Sequence, residues 1–157
     1  SLKDMNLNVC DTLEFTEEVP ACSAVKLMDR DYSEWIADKP SQYFVEAVFN
    51  FGDGTTVTQT DIFVPYKHLA LKKPHIEAEV SQTKEGFKIS LITDAYTPFL
   101  AIDLTEADAI FSDNYFCMGS PRKEIEVKYE DVCSDQTMTL EMFKSQLKIT
   151  HLYDTIR

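Results

Sequence analysis

Basic residues are scarce in this chain. Fifteen lysines and arginines stand against 27 aspartates and glutamates in 157 residues, for a net charge of −12. A surface that negative repels phosphate backbones and anionic lipid, and no basic stripe reverses it locally, so neither nucleic acid nor membrane is an expected partner. Long apolar runs are also missing: the longest, such as Phe99-Leu100-Ala101-Ile102, have four residues, against ~20 for a membrane span. Ser1 to Asp11 lack the basic and apolar stretches of a signal peptide, although such a signal upstream of Ser1 stays compatible with this. No Asn-x-Ser/Thr acceptor occurs, which disfavours a eukaryotic secretory origin. The four cysteines, Cys10, Cys22, Cys117 and Cys133, form no Cys-x-x-Cys pair, so zinc-ribbon and thioredoxin readings have no support. An even count permits two disulfides, but a chain of this size does not need them. Free, partly buried thiols are the expectation, with the disulfide state left open.

Apolar residues are plentiful, at 44%, and a folded chain of this length buries roughly two thirds of its unfolded surface. Those residues alternate with polar ones, the period of half-buried strands. Ile76, Ala78 and Val80 interleave with His75, Glu77, Glu79 and Ser81, and Phe87, Ile89 and Leu91 with Lys88, Ser90 and Ile92. Gln82-Thr83-Lys84-Glu85-Gly86 between the two runs reads as a hairpin loop. Ile125, Val127 and Tyr129 alternate with Glu124, Glu126, Lys128 and Glu130, and Leu147, Ile149, His151 and Tyr153 with Lys148, Thr150 and Asp154. Earlier, Tyr43, Val45, Ala47, Phe49 and Phe51 alternate with Glu46 and Asn50, Gly52-Asp53-Gly54 makes a turn, and Thr55 to Val64 follows as a β-branched strand. Further strands are expected over Asn6 to Phe15 and Ala24 to Arg30. One short helix is expected over Thr139 to Ser145, with Thr139 as its cap.

This pattern predicts an all-β, immunoglobulin-like sandwich of mostly antiparallel strands with Greek-key connections. From Pro65 to Arg157 about seven strands are expected, the size of a complete immunoglobulin-like domain. Residues 1–64 supply about four, enough for one sheet whose apolar face still needs a cover. Those four strands are read as the end of a preceding domain or as part of one merged sandwich, with a tight junction near Pro65.

Two stretches carry a resemblance. Val64-Pro65-Tyr66-Lys67-His68-Leu69-Ala70-Leu71-Lys72-Lys73-Pro74 resembles the connector into the last domain of the β-mannosidases of glycoside hydrolase family 2, and Phe111-Ser112-Asp113-Asn114-Tyr115-Phe116 is similar to a segment of that domain. Leu152-Tyr153-Asp154-Thr155 also resembles some C-termini of the family. The likeness extends over residues 40–157 and fades over 1–39. It departs from the family after Phe116, where many relatives carry a different turn from Cys117-Met118-Gly119-Ser120-Pro121. The resemblance implies a parent enzyme that removes terminal β-linked mannose with retention, using two glutamates on a (β/α)₈ barrel. Retention needs two carboxyls about 5 Å apart, and no position in this chain matches the motifs that carry them.

The remaining constellations favour structural readings. Glu124, Glu126 and Glu130, interleaved with Lys123 and Lys128, suit a solvated sheet face better than a desolvated general acid. Asp29, Asp31 and Glu34 lack the glycine and further ligands of a calcium loop. His68, His75 and His151 share no metal-ligand spacing. No serine or cysteine lies in a nucleophile elbow, and no Walker or Rossmann glycine pattern occurs. Trp35, with Tyr32 and Tyr43 nearby, is read as packing against the sandwich or the domain junction, ahead of stacking on a sugar ring. Ser112-Asp113-Asn114 is read as a turn anchored in the core by the flanking Phe111, Tyr115 and Phe116, with Asn114 suited to a left-handed backbone. The expectation is therefore no catalytic residue, no cofactor and no metal ligand.

The chain is thus read as a non-catalytic accessory domain of a β-mannosidase-like glycosidase, whose main partner is the rest of that enzyme. The alternatives are a carbohydrate-binding module, or the equivalent domain of an exo-glucosaminidase or β-galactosidase. An adhesion-type domain lacks the Cys…Trp…Cys core. The bacterial cytoplasm is the expected compartment, with a lysosome as the alternative, and residues 1–64 allow a homodimer.

Overall fold

The computed structural model describes residues 1–156. The chain divides into two compact units, Ser1–Ala70 and Leu71–Arg157.

The first unit is a four-stranded antiparallel sheet formed by β1 (Leu2–Asp4), β2 (Val9–Asp11), β3 (Tyr43–Asn50) and β4 (Thr56–Ile62), in the order β2-β1-β3-β4. A strand starting at Asn6 does not form. The Asp4 carboxylate accepts the backbone N–H groups of Asn6 (2.9 Å) and Asn8 (3.0 Å), and Leu7 takes a left-handed φ of 66°, so a tight turn occupies the place of the strand's first half. Partial burial pushes the Asp4 pKa up, but the bonds from Asn8 and Asn6 outweigh it and hold the carboxyl below its usual range. The strand expected over Ala24 to Arg30 is absent as well. Residues 12–31 lie outside any helix or strand and are almost wholly exposed, because alternation makes a strand only where a neighbouring strand takes its backbone hydrogen bonds. A single-turn helix, α1 (Ser33–Ile36), and a 3₁₀ turn at Pro40–Gln42 lead into β3.

In β3 the most buried side chains are not those of the expected apolar face. Phe44 and Glu46 are buried, Tyr43, Val45 and Ala47 are half-buried, and Phe49 and Phe51 are exposed. Glu46 tolerates this because its carboxylate is paired with the Lys3 ammonium, also buried, which lies on the same face of the adjacent β1.

The second unit is a sandwich. β5 (Ile76–Gln82), β6 (Gly86–Thr93) and β10 (Arg122–Lys128) form one antiparallel sheet in the order β10-β6-β5. β7 (Thr97–Leu104), β9 (Phe116–Met118) and β12 (Leu147–Thr150) form the other, in the order β12-β7-β9. β8 (Asp108–Ala109) and β11 (Val132–Cys133) make a two-stranded ladder beside them. The chain changes sheet between β6 and β7 and returns between β9 and β10, so β10 pairs with β6 and not with its predecessor. Phe87, Ile89, Leu91, Ile125 and Val127 from one sheet meet Leu100, Ile102, Leu104 and Met118 from the other, all essentially inaccessible to solvent. α2 (Leu140–Gln146) closes one end: the Thr139 hydroxyl caps it by accepting the Met142 N–H at 3.2 Å, and Phe143 stacks on Phe87 with centroids 4.4 Å apart.

Three expectations need correction here. Ala78 is exposed and Ile76 only half-buried at the margin of the core, since β5 is an edge strand and Val80 is its one fully buried side chain. Tyr129 leaves the strand: it opens a 3₁₀ turn, Tyr129–Asp131, and sets its ring edge-on to Phe87 at 5.3 Å. β12 ends at Thr150 and not near Tyr153, because the Asp154 carboxylate captures the His151 N–H at 3.0 Å and starts a 3₁₀ turn at Leu152–Thr155.

Candidate functional site

The carboxylates singled out in the sequence are dispersed. Glu124 and Glu126 stand on the outer face of β10, where Glu124 pairs with Lys88 of β6 at 2.7 Å, and Glu130 faces Lys128 at 3.6 Å. A shallow depression of about 250 Å³ over Ser90, Ile92, Arg122 and Glu124 holds one carboxylate, already neutralised by Lys88. It lies below the ~300–1,000 Å³ usual for small-molecule pockets. A retaining pair needs a second acid across a cleft, and these residues do not supply it.

Asp29 pairs with Lys26, and Asp31 accepts the Ser33 hydroxyl and, at 2.8 Å, the Ser33 N–H. Those two bonds hold the Asp31 carboxyl below its usual range. Glu34 lies in the first turn of α1. His75 faces Glu77 at 3.3 Å, His151 lies largely buried beside Asp154 at 3.6 Å, and His68 ends the 3₁₀ turn Tyr66–His68. No group of three or more metal-ligating side chains gathers among the described residues.

All four cysteines are free: Cys10 and Cys117 half-buried, Cys22 and Cys133 exposed. The expectation of partly buried thiols thus holds for two of them. Burial, reinforced by the charge of Asp4, raises the Cys10 pKa and makes it a poor nucleophile. The aromatics do not form a row: Trp35 on α1 is 49% exposed, Tyr43 is half-buried, and Tyr32 is buried edge-on to Phe63 under the Arg30 guanidinium.

The Ser112-Asp113-Asn114 turn is anchored differently from the reading above. The Asn114 side chain clamps β7, donating to the Ile102 C=O at 2.8 Å and accepting the Ile102 N–H at 2.9 Å. Tyr115, not Asn114, takes the left-handed backbone (φ 57°), and its ring is 73% exposed. Phe111 and Phe116 are only half-buried. Lys123 holds the turn from outside, pairing with Asp113 at 2.7 Å and lying over the Phe116 ring at 4.5 Å. Sequence reasoning had no access to the Asn114–Ile102 clamp, since the two residues meet only when β7 and the turn are stacked.

The second unit therefore has the architecture of an immunoglobulin-like sandwich. Residues 71–155, more than half of the chain, match the family model of the Ig-fold domain Ig_mannosidase. The chain belongs to this family. No curated protein matches the chain. The matched stretch of the Ig_mannosidase domain includes both the Phe111–Phe116 turn and the Leu152–Thr155 end. It starts at Leu71, so the likeness read over residues 40–70 lies outside it. The mannosidase-type assignment and the immunoglobulin-like fold thus agree with the motifs singled out in the sequence.

Proposed function

We propose that this chain is a non-catalytic accessory domain of a β-mannosidase, a retaining enzyme that hydrolyses terminal β-D-mannose residues, and that it works mechanically by packing against the rest of that enzyme. The observation that carries the reading is the family match over residues 71–155, joined to carboxylates that pair with lysines, as Glu124 and Glu130 do, or bond within a local turn, as Asp31 does, and not with a second acid across a cleft. The reading carries a compartment with it: four free thiols and no Asn-x-Ser/Thr acceptor suit the reducing bacterial cytoplasm. The 49% exposure of Trp35 favours one second reading, a carbohydrate-binding module.

Purified chain assayed on an aryl β-mannoside is expected to show no turnover, and the same chain run through a mannan gel no retardation. Turnover abolished by Glu124→Gln would overturn the accessory reading. Retardation lost in Trp35→Ala would transfer the case to the binding module.

A further inference from the structure

The hairpin of β3 and β4 ends in a ribbon only two strands wide. Val48, Phe49, Phe51 and Val57, on both of its faces, are 39–54% exposed. Two strands alone are marginal in water, and a third strand is what normally makes such a ribbon stable. β4 is the open edge of its sheet. Phe51 donates its N–H to the Thr55 C=O at 2.8 Å, so in the register Phe49↔Val57 the odd-numbered residues of β4 bond to β3. The backbone groups of Thr56 and Thr58 consequently point outward. Farther along, the outward N–H of Ile62 is taken by the Asp61 carboxylate at 2.8 Å, which blunts the edge there and leaves the Thr56–Thr58 stretch open.

This open stretch carries none of the usual guards of an edge strand: no lysine, no proline and no bulge. Its charge is the second argument. Gly54 to Thr60 contains no ionisable side chain in a chain of net charge −12. A second copy, equally anionic, meets less repulsion here than on a surface dense in carboxylates.

We propose that two copies of this chain pair antiparallel through β4 about a two-fold axis at Val57. In that register Thr56 exchanges both backbone hydrogen bonds with Thr58 of the second copy, and Thr58 with its Thr56, giving four bonds in all. The side chains then line up across four strands as Phe49, Val57, Val57 and Phe49, a continuous apolar row in which each residue covers its neighbour. The contact is isologous, so it closes at the dimer. At each end of the ribbon Asp53 approaches Asp61 of the other copy. Two carboxylates that close repel, and salt screening strengthens the dimer.

Sedimentation equilibrium on the 157-residue chain tests this. The expected mass is twice 18.0 kDa, with a dissociation constant that falls as sodium chloride is raised. Thr58→Pro removes only an outward N–H, a position where edge strands accept proline, and is expected to give a monomer with an unchanged circular dichroism spectrum. Val57→Lys places two like charges on the axis and is expected to do the same, which keeps the test decisive if the proline variant misfolds. A wild-type chain that stays monomeric at every concentration and salt level overturns the proposal, as does a dimer that survives Val57→Lys.

Discussion

Asn114 shows how a single side chain holds two distant parts of this sandwich together. It reaches from the loop before β9 to both polar groups of Ile102, a backbone position in the middle of β7. A half-buried amide that satisfies one donor and one acceptor leaves both orphaned when truncated. Asn114→Ala is accordingly expected to cost about 2 kcal/mol. Its neighbour should behave in the opposite way: Tyr115 sits at φ 57° with its ring in water, so Tyr115→Gly relieves backbone strain and stays within about 1 kcal/mol of wild type. Urea denaturation of the two variants checks both, and equal losses would refute the clamp. The buried Lys3–Glu46 pair follows the same logic of satisfaction, and it explains why a glutamate occupies an inward position in β3.

Among the elements, β6 is central to the second unit. It is paired on both sides, with β5 in the register Ile76↔Thr93 and with β10 in the register Lys128↔Gly86. Gly86 begins the strand where the backbones approach most closely: a Cβ there would lie 1.9 Å from the Val127 carbonyl oxygen and 2.7 Å from the Lys128 Cα. Both obstacles are backbone and cannot swing aside. Gly86→Ala must therefore displace β10 from β6, at a cost of about 3 kcal/mol, the upper end for overpacking. Thermal melting and amide exchange on β10 measure it, and an unchanged melting temperature with full protection at Ile125 would show that the strands give way freely. The hairpin before β6 was legible in its Gly-terminated polar loop. The reason for the glycine was not, because β10 lies some forty residues away in the chain.

For the whole molecule, the decisive feature is the division after Ala70. The core of the second unit draws on Val80 to Phe143 and needs nothing before Leu71 to be described. Residues 71–157 expressed alone are expected to melt cooperatively, and a broad, non-cooperative transition in calorimetry would show that the two units fold as one. Alternation read from local sequence located β6 and β10 within a residue or two, and the Thr139 cap located α2, whereas β7 and β9 were not read as strands and β12 ends at Thr150, short of the expected Tyr153. It failed over Ala24 to Arg30 and at the end of the strand expected over Asn6 to Phe15, where Leu13, Phe15, Val25 and Leu27 alternate as a strand would and yet stand exposed.

The difference lies in which interactions are local. Period-2 patterning, turn chemistry at Gln82 to Gly86 and the Thr139 cap act over a few residues, so the sequence alone determined the all-β class, the immunoglobulin-like sandwich and the helix α2, though not the single-turn helix α1, and its motifs pointed to the mannosidase type. Burial of a charged pair, the choice of inner face in β3, the anchoring of Asn114 on β7 and the outward-facing edge of β4 each depend on which strand lies alongside. That adjacency joins residues distant in the chain, 43 positions for Lys3 and Glu46 and 12 for Asn114 and Ile102, and only the tertiary structure decided it.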